Sequence, residues 1–222
     1  MYNRENPSQD YKELVTQYQI LHTKGLKDRP GNVFFNGISL AVHIERLTKL
    51  MLLEGVKSLL DYGCGKALLY DDIKYKEMPI DENGQVLPKP LSKLWQLDYF
   101  SLYDPAYEKY NKLPKGKYDA VICTDVIEHI DEKDVDWILD EIFSYARKFV
   151  FLTIACYKAL KEFEDGRNLH VNIKQPSYWK EKLLKLHNKY PHLNIHYSLD
   201  IIKDENAEKP QSLTVYKTIE RK

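Results

Sequence analysis

The stretch SLLDYGCGKALLY, residues 58–70, decides how this chain is read. Leu59 and Leu60 run into Asp61, then Gly63 and Gly65 stand two apart, and Ala67 follows. A short apolar run that meets a glycine turn is the pattern of a buried strand passing into a helix. The glycines allow backbone geometry that other residues resist, and they let a ligand come close to the main chain. A dinucleotide loop, GxGxxG, would place its third glycine at position 68, where Leu68 stands. A P-loop needs GxxxxGK[ST], which is absent. Asp61, two residues before Gly63, would repel a pyrophosphate but suits a ligand with a cationic amino-acid tail. A plain strand-to-helix turn is the bland alternative.

Upstream, SLAVHIERLTKLMLLEG reads as a helix. Ser39 can cap it, Val42, Ile44, Leu47, Leu50 and Met51 supply its apolar side, and Gly55 can end it. Before it, DYKELVTQYQILH places Leu14, Val15, Tyr18 and Leu21 at helical spacing, and GNVFFNG makes a loop. Downstream, KALLYDDIK restarts as a helix, and KEMPIDENGQVLPKPLSK is a loop or small insertion. LWQLDYFSLYDP gives a second strand that ends in Asp104, and KYDAVICTD a third. DEKDVDWILDEIFSYARK is an amphipathic helix with Asp131 at its start and Val135, Ile138, Leu139, Ile142, Phe143 and Ala146 on one side. FVFLTIAC is a strand with an all-apolar run, as in parallel sheets buried on both faces. PSYWKEKLLKLHNKY is a helix capped by Ser177. LNIHYSLDI and QSLTVYKTI are two alternating strands separated by a charged turn.

The order predicts an α/β fold: a doubly wound, mostly parallel sheet with helices on both faces and a C-terminal antiparallel strand pair. One domain of 222 residues is expected, with residues 1–54 as a helical N-terminal cap and 55–222 as a Rossmann-like core. Ligands of such sheets sit outside the carboxyl ends of the strands. The segments that matter are then 61–67, 104–107, 124–129 and 156–170.

Composition narrows the partners. Lys+Arg and Asp+Glu are both 33, so there is no global basic field for a polyanion, which argues against nucleic acid. The three cysteines, Cys64, Cys123 and Cys156, match no zinc spacing and read as small buried residues in a reducing compartment. No apolar run approaches the roughly 18 residues of a membrane span. The polar start, MYNRENPSQDYK, has no signal-peptide core, so a cytoplasmic protein without membrane contact is expected. Oligomeric state is left open.

Two stretches together resemble a known superfamily. LLDYGCGKA resembles the first motif, hh[D/E]hGxGxG, of the Rossmann-type (class I) S-adenosylmethionine-dependent methyltransferases, and KYDAVICTDVIEHI resembles their later strand motif. The resemblance covers about residues 38–202 and implies S-adenosyl-L-methionine as cofactor, with S-adenosyl-L-homocysteine as product. It implies that Asp61 lies near the methionine amine and that Tyr62, Gly63, Cys64 and Gly65 line the methionine and ribose portion. It also implies that Asp104 accepts from the ribose hydroxyls, although an Asp-Pro turn is the alternative there. The chain departs from the pattern at Ala67, where the third glycine is usual. It departs again after Asp104, where the helix–strand unit is shortened. Thr124, Asp125 and Val126 are therefore the expected adenine neighbours.

The resemblance implies a methyltransferase, with transfer expected to an O or N of a small-molecule or sugar-containing acceptor. Alternatives are an RNA or protein methyltransferase, or a non-methylating regulator that binds the same cofactor. His170 is the first candidate for the base that activates the acceptor and His129 the second, because imidazole accepts a proton at neutral pH. Glu128 and His129 equally suit capping the next helix. Tyr157, Arg167 and Asn168 are expected to bind substrate, with Tyr178 and Trp179 as further walls. A purely local pair of Arg167 with Glu164 or Asp165 is the alternative. Phe34, Phe35 and Asn36 suit a lid or a simple loop. No metal is expected.

Overall fold

The computed structural model describes residues 2–26, 29–31, 34–202 and 212–222. The charged turn expected between the last two strands lies outside these residues, as do Asn32 and Val33 of the loop before the second helix. Helix α1, Gln9–Thr23, starts on Ser8, whose side chain accepts from the Tyr11 amide at 3.0 Å. A two-residue pair, β1 (Gly25–Leu26) and β2 (Arg29–Pro30), follows it. A 3₁₀ turn, Ile38–His43, then leads into α2, Ile44–Leu53. Ser39 does not cap α2, because the chain enters the 3₁₀ turn from Gly37 at φ 86°. Val42 is exposed for the same reason, while Ile44, Leu47 and Met51 are buried as expected.

Strand β3, Ser58–Tyr62, carries the apolar run before the glycines. The helix expected from KALLYDDIK does not form. Ala67 sits in the left-handed region at φ 50°, where the Leu68 amide donates to the Asn36 carbonyl, and Asp71 turns extended at ψ 130°. The Asp71 carboxylate then accepts from the Ile73 and Lys74 amides, both at 2.9 Å, and this bends the chain again. Two 3₁₀ turns result, Leu68–Tyr70 and Lys74–Glu77, and a short helix α3, Leu91–Leu94, precedes β4, Tyr99–Tyr103. Between β4 and β5, Tyr118–Thr124, there is one 3₁₀ turn, Glu108–Tyr110, and no strand. The later elements are α4 (Glu132–Ser144), β6 (Ala146–Ala155), α5 (Pro176–Lys189), β7 (Asn194–Ile202), β8 (Ser212–Leu213) and β9 (Tyr216–Ile219). Asp131 caps α4 and Ala146 opens β6. Gln175, not Ser177, is the cap position of α5, because Pro176 takes the first turn.

The sheet runs β4-β3-β5-β6-β7-β8, with β9 also on β7. The pairs from β4 through β7 are parallel, and β8 and β9 run antiparallel to β7. This is an α/β fold with a mostly parallel open sheet. Leu60, Val121, Cys123, Val150 and Leu152 face α4 and α5. Leu59, Ala120, Ile122, Phe149 and Phe151 face α2 and the turns of residues 68–97, which cover the sheet where a helix was expected. Helix α1 belongs to neither layer. Its Leu14 and Leu21 pack on Phe163 and Leu169 of the loop after β6, above the strand ends. Among the described residues no helix is long and apolar enough to cross a membrane.

Two polar staples bind the N-terminal segment to the core. The Arg4 guanidinium grips Glu141 with both its Nε and a terminal nitrogen, and the Tyr62 hydroxyl joins them, donating to Glu141 at 2.8 Å. Fully buried Asp134 accepts from the Ser8 amide at 3.0 Å, from the Ser8 hydroxyl, and from Trp137 Nε1 at 2.7 Å. Asp134→Ala would leave these donors unpaired and cost roughly 2–4 kcal/mol. Urea denaturation checks this, and a loss under about 0.5 kcal/mol would show that water replaces the carboxylate freely.

Candidate functional site

A cleft of about 680 Å³ opens at the carboxyl ends of β3, β5, β6 and β7, where Gly63, Thr124, Ala155 and Asp200 contribute to its wall. Residues Tyr11, Leu14, Val15, Tyr18 and His22 of α1 roof it. The stripe that the helical spacing marked as apolar thus faces the cleft as well as the small cluster above it. Phe34, Phe35 and Asn36 close one side, and Tyr157, Leu169 and His170 of the loop after β6 close the other.

The glycine loop has no free donors for a phosphate. The Gly63 and Cys64 amides donate to the Tyr103 carbonyl, at 2.7 and 3.1 Å. The Gly65 amide donates to Asp104 Oδ2 at 2.9 Å, and the Lys66 amide donates to the Phe35 carbonyl at 2.6 Å. No helix follows to offer a positive end, so the loop lacks both parts of an anion cradle. Gly63 and Gly65 are required by close packing. Both have positive φ, a Cβ at Gly63 would overlap Val126, and one at Gly65 would overlap the Phe35 carbonyl.

The wall is acidic. Asp104, Asp125, Glu128 and Asp200 line it, and Lys161 is the one lysine or arginine among the described lining residues. Burial pushes each of these carboxyls above the ordinary range. For Asp104, amides of Ala106 and Gly65 oppose the rise, and for Asp125 the Thr153 hydroxyl does so. Asp104 Oδ1 accepts from Ala106 at 2.8 Å and lies 4.0 Å from His22 Nε2, so the turn-forming role is real. Asp125 holds φ 54°, a strained conformation outside glycine, at the end of β5.

His129 and His170 meet edge to face, ring centres 4.9 Å apart. His170 Nδ1 lies 2.6 Å from the Tyr157 carbonyl. His129 Nδ1 lies 2.9 Å from the Leu169 carbonyl and 3.0 Å from the Tyr18 hydroxyl. Burial lowers both imidazoles, His129 to about 3 with His170 adding to the effect. Beside them Glu128 is wholly buried and accepts from the Ala155 amide at 2.9 Å. Neither Glu128 nor His129 caps α4, since Asp131 does.

Several expected residues are not brought to the cleft. Asp61 is buried behind the loop, outside the wall. Arg167 is exposed and pairs with Asp165 at 2.7 Å, as the local alternative had it. Asn168 braces the loop through the Ala159 amide and carbonyl, both at 2.9 Å. Trp179 lies in the core and Tyr178 packs over Lys174 and Lys182 at the surface. In contrast, Tyr62, Gly63, Cys64, Gly65, Asp104, Thr124, Asp125, Val126, Tyr157, His129 and His170 all line it. Sequence reading missed Tyr18, His22 and Asp200. Asp200 had the same signal as Asp61 and Asp104, an acid closing a buried strand. Tyr18 and His22 share a helical face with Leu14, which read as plain core.

No family model matches the chain, and no curated protein matches it.

Asp61 makes stability depend on pH. Burial pushes its carboxyl up to about 7, the Tyr70 hydroxyl opposes this, and nearby Asp104 adds to it. An unfolded chain releases this proton near pH 4, whereas the fold keeps it until about 7, so stability falls as pH rises through that window. Asp61→Asn should match the wild type near pH 4 and exceed it by roughly 2–4 kcal/mol at about pH 8. Denaturation curves across this range test the assignment, and parallel curves for the two proteins would refute it.

Proposed function

We propose that this chain is an S-adenosylmethionine-dependent methyltransferase of the Rossmann-like class, acting on an O or N of a small-molecule or sugar-containing acceptor. The observation that carries the reading is the charge of the cleft: four carboxylates and one lysine at the carboxyl ends of a mostly parallel sheet. Four buried carboxyls held above their ordinary range, with the Lys66 ammonium acting on Asp104 from outside the wall, favour a ligand that brings positive charge. S-adenosylmethionine brings a sulfonium and an ammonium against one carboxylate, which leaves it net positive. The saturated amides of the glycine loop point the same way, because they leave nothing for a pyrophosphate.

The residues present fit that cofactor with one exception. Tyr62, Gly63, Cys64 and Gly65 would border its methionine and ribose, and Asp104 retains a lone pair on each oxygen for ribose hydroxyls. Thr124, Asp125 and Val126 would border the adenine. Asp61 is the exception, so the amine would have to find its carboxylate among those of the wall. When bound, the cofactor supplies the electrophilic methyl. The chain then positions the acceptor, excludes water under the α1 roof, and takes up the acceptor's proton on His170, while His129, lowered by burial to about 3, stays neutral beside it. A cytoplasmic setting goes with this reading.

Calorimetry with S-adenosylmethionine and S-adenosylhomocysteine is the test. Both should bind, and Asp104→Asn and Asp125→Asn should each weaken binding at least about tenfold, as expected for a lost charged hydrogen bond. No binding of either compound would remove the reading. With an acceptor pool, His170→Ala should slow methylation roughly 100- to 10,000-fold while the cofactor's Kd stays unchanged.

A further inference from the structure

The corner where Glu128, His129 and His170 meet has unused donor atoms. One ligand atom from each residue lies within 4.8 Å of those from the other two. A carbonyl only accepts, so the Nδ1 atoms set against Tyr157 and Leu169 carry the protons of their rings. Each Nε2 therefore keeps its lone pair. Fixing the far nitrogen of an imidazole on a backbone carbonyl is how proteins orient a histidine for metal ligation. Glu128 Oε1 accepts from the Ala155 amide, but buried Oε2 has no hydrogen-bond partner among the described residues. A buried orphan oxygen of this kind calls for an ion or a water.

We propose that Glu128, His129 and His170 form a three-ligand site for a divalent first-row transition ion, with its remaining coordination positions open to the cleft. Two imidazole nitrogens and one carboxylate suit Zn²⁺, Fe²⁺, Mn²⁺ or Co²⁺, whereas Ca²⁺ and Mg²⁺ prefer all-oxygen sets. Metal–ligand bonds of roughly 2.1 Å bring donor atoms roughly 3–4 Å apart, so the site closes by about 1 Å on binding. Glu128 and His129 lie on one 3₁₀ turn, Ile127–His129, and His170 lies on the loop after β6. An ion would therefore tie that loop to the end of β5. Asp125 is no ligand in this arrangement, because its carboxylate is not among the donor atoms that converge there. Under the methyltransferase reading, on which this last step rests, the open positions take an oxygen of a hydroxyl acceptor; the ion then lowers the hydroxyl's pKa, its proton leaves to water, and His170 serves as a ligand in place of a base.

The full-length chain, stripped with chelator and titrated with Co²⁺, gives the test by visible absorption and elemental analysis. One Co²⁺ per chain is expected, with affinity lowered at least about tenfold in Glu128→Gln and in His170→Gln. Glu128→Gln keeps an acceptor for the Ala155 amide. His170→Gln changes a half-exposed loop position, so it decides the matter alone if the first variant fails to fold. Absence of Co²⁺ binding, or binding equal in wild type and His170→Gln, overturns the site. The titration needs no cofactor. A chain that binds Co²⁺ but not S-adenosylmethionine keeps the site and loses only the acceptor step, and the reverse result leaves the methyltransferase reading standing.

Discussion

The carbonyl of Phe35 lies against Gly65, and much of the cleft depends on that contact. The Lys66 amide donates to this carbonyl at 2.6 Å, the Lys66 ammonium to the Phe34 carbonyl at 2.6 Å, and the Leu68 amide to the Asn36 carbonyl at 3.1 Å. Three successive carbonyls of the N-terminal segment are thus fixed on the turn that follows β3. The arrangement works only because Gly65 lacks a Cβ, and because Phe35 accepts a left-handed φ of 48°. Backbone strain of this kind costs about 1–3 kcal/mol and persists where the surroundings hold it in place. Here the surroundings are the sheet on one side and α1 on the other, which carries His22 against Phe35 at a ring distance of 5.0 Å.

The same contact explains why the chain after the glycines does not become a helix. Helix formation needs successive amides to turn back on carbonyls four residues earlier. Lys66 and Leu68 are tied to another segment, which holds Ala67 between them at a left-handed φ of 50°, and Asp71 takes an extended ψ of 130°, so no helical run longer than one turn remains. The sequence KALLYDDIK has the apolar spacing of a helix, and propensity alone cannot register a competing long-range partner. The residues that followed the spacing elsewhere did form their elements. In α4, Val135, Ile138, Leu139, Ile142 and Phe143 are all buried on one side. Strands β3, β5 and β6 were legible because apolar runs with β-branched residues, closed by an acid or a glycine, have few other uses in a mixed chain.

The candidate site was legible for the residues that end strands and hidden for the rest. Asp104, Thr124, Asp125 and His129 follow directly from where β4 and β5 stop. Asp61 belongs to the same class, yet strand alternation turns its side chain toward the α2 layer, away from the cleft that Tyr62 lines. Arg167 shows the opposite failure. Residue type suggested an anion grip, but a neighbouring acid two positions away is a cheaper partner than a ligand across the cleft. Tyr18 could not be found from spacing, because a tyrosine on an apolar stripe looks the same whether its hydroxyl meets solvent or braces a histidine.

Buried charge gives these pieces a common logic. Carboxyls with raised pKa values are a standing cost in the cleft, because burial disfavours the charged form that a cationic ligand would need. Most of them are partly satisfied: Asp104 by two amides, Asp125 by Thr153, and Glu128 by the Ala155 amide on one oxygen only. The unsatisfied remainder is therefore localised at Glu128 Oε2 and Asp200 Oδ1, on the side where the histidines stand. A cationic organic ligand along the glycine loop and a metal ion at the histidine corner draw on different carboxylates. The two can occupy one cleft, and each lowers the cost of the carboxylates it meets. Two cations so placed repel each other, and a carboxylate such as Asp125 that neutralises one is less available to the other, so the coupling free energy between the sites is unfavourable and each ligand lowers the other's affinity.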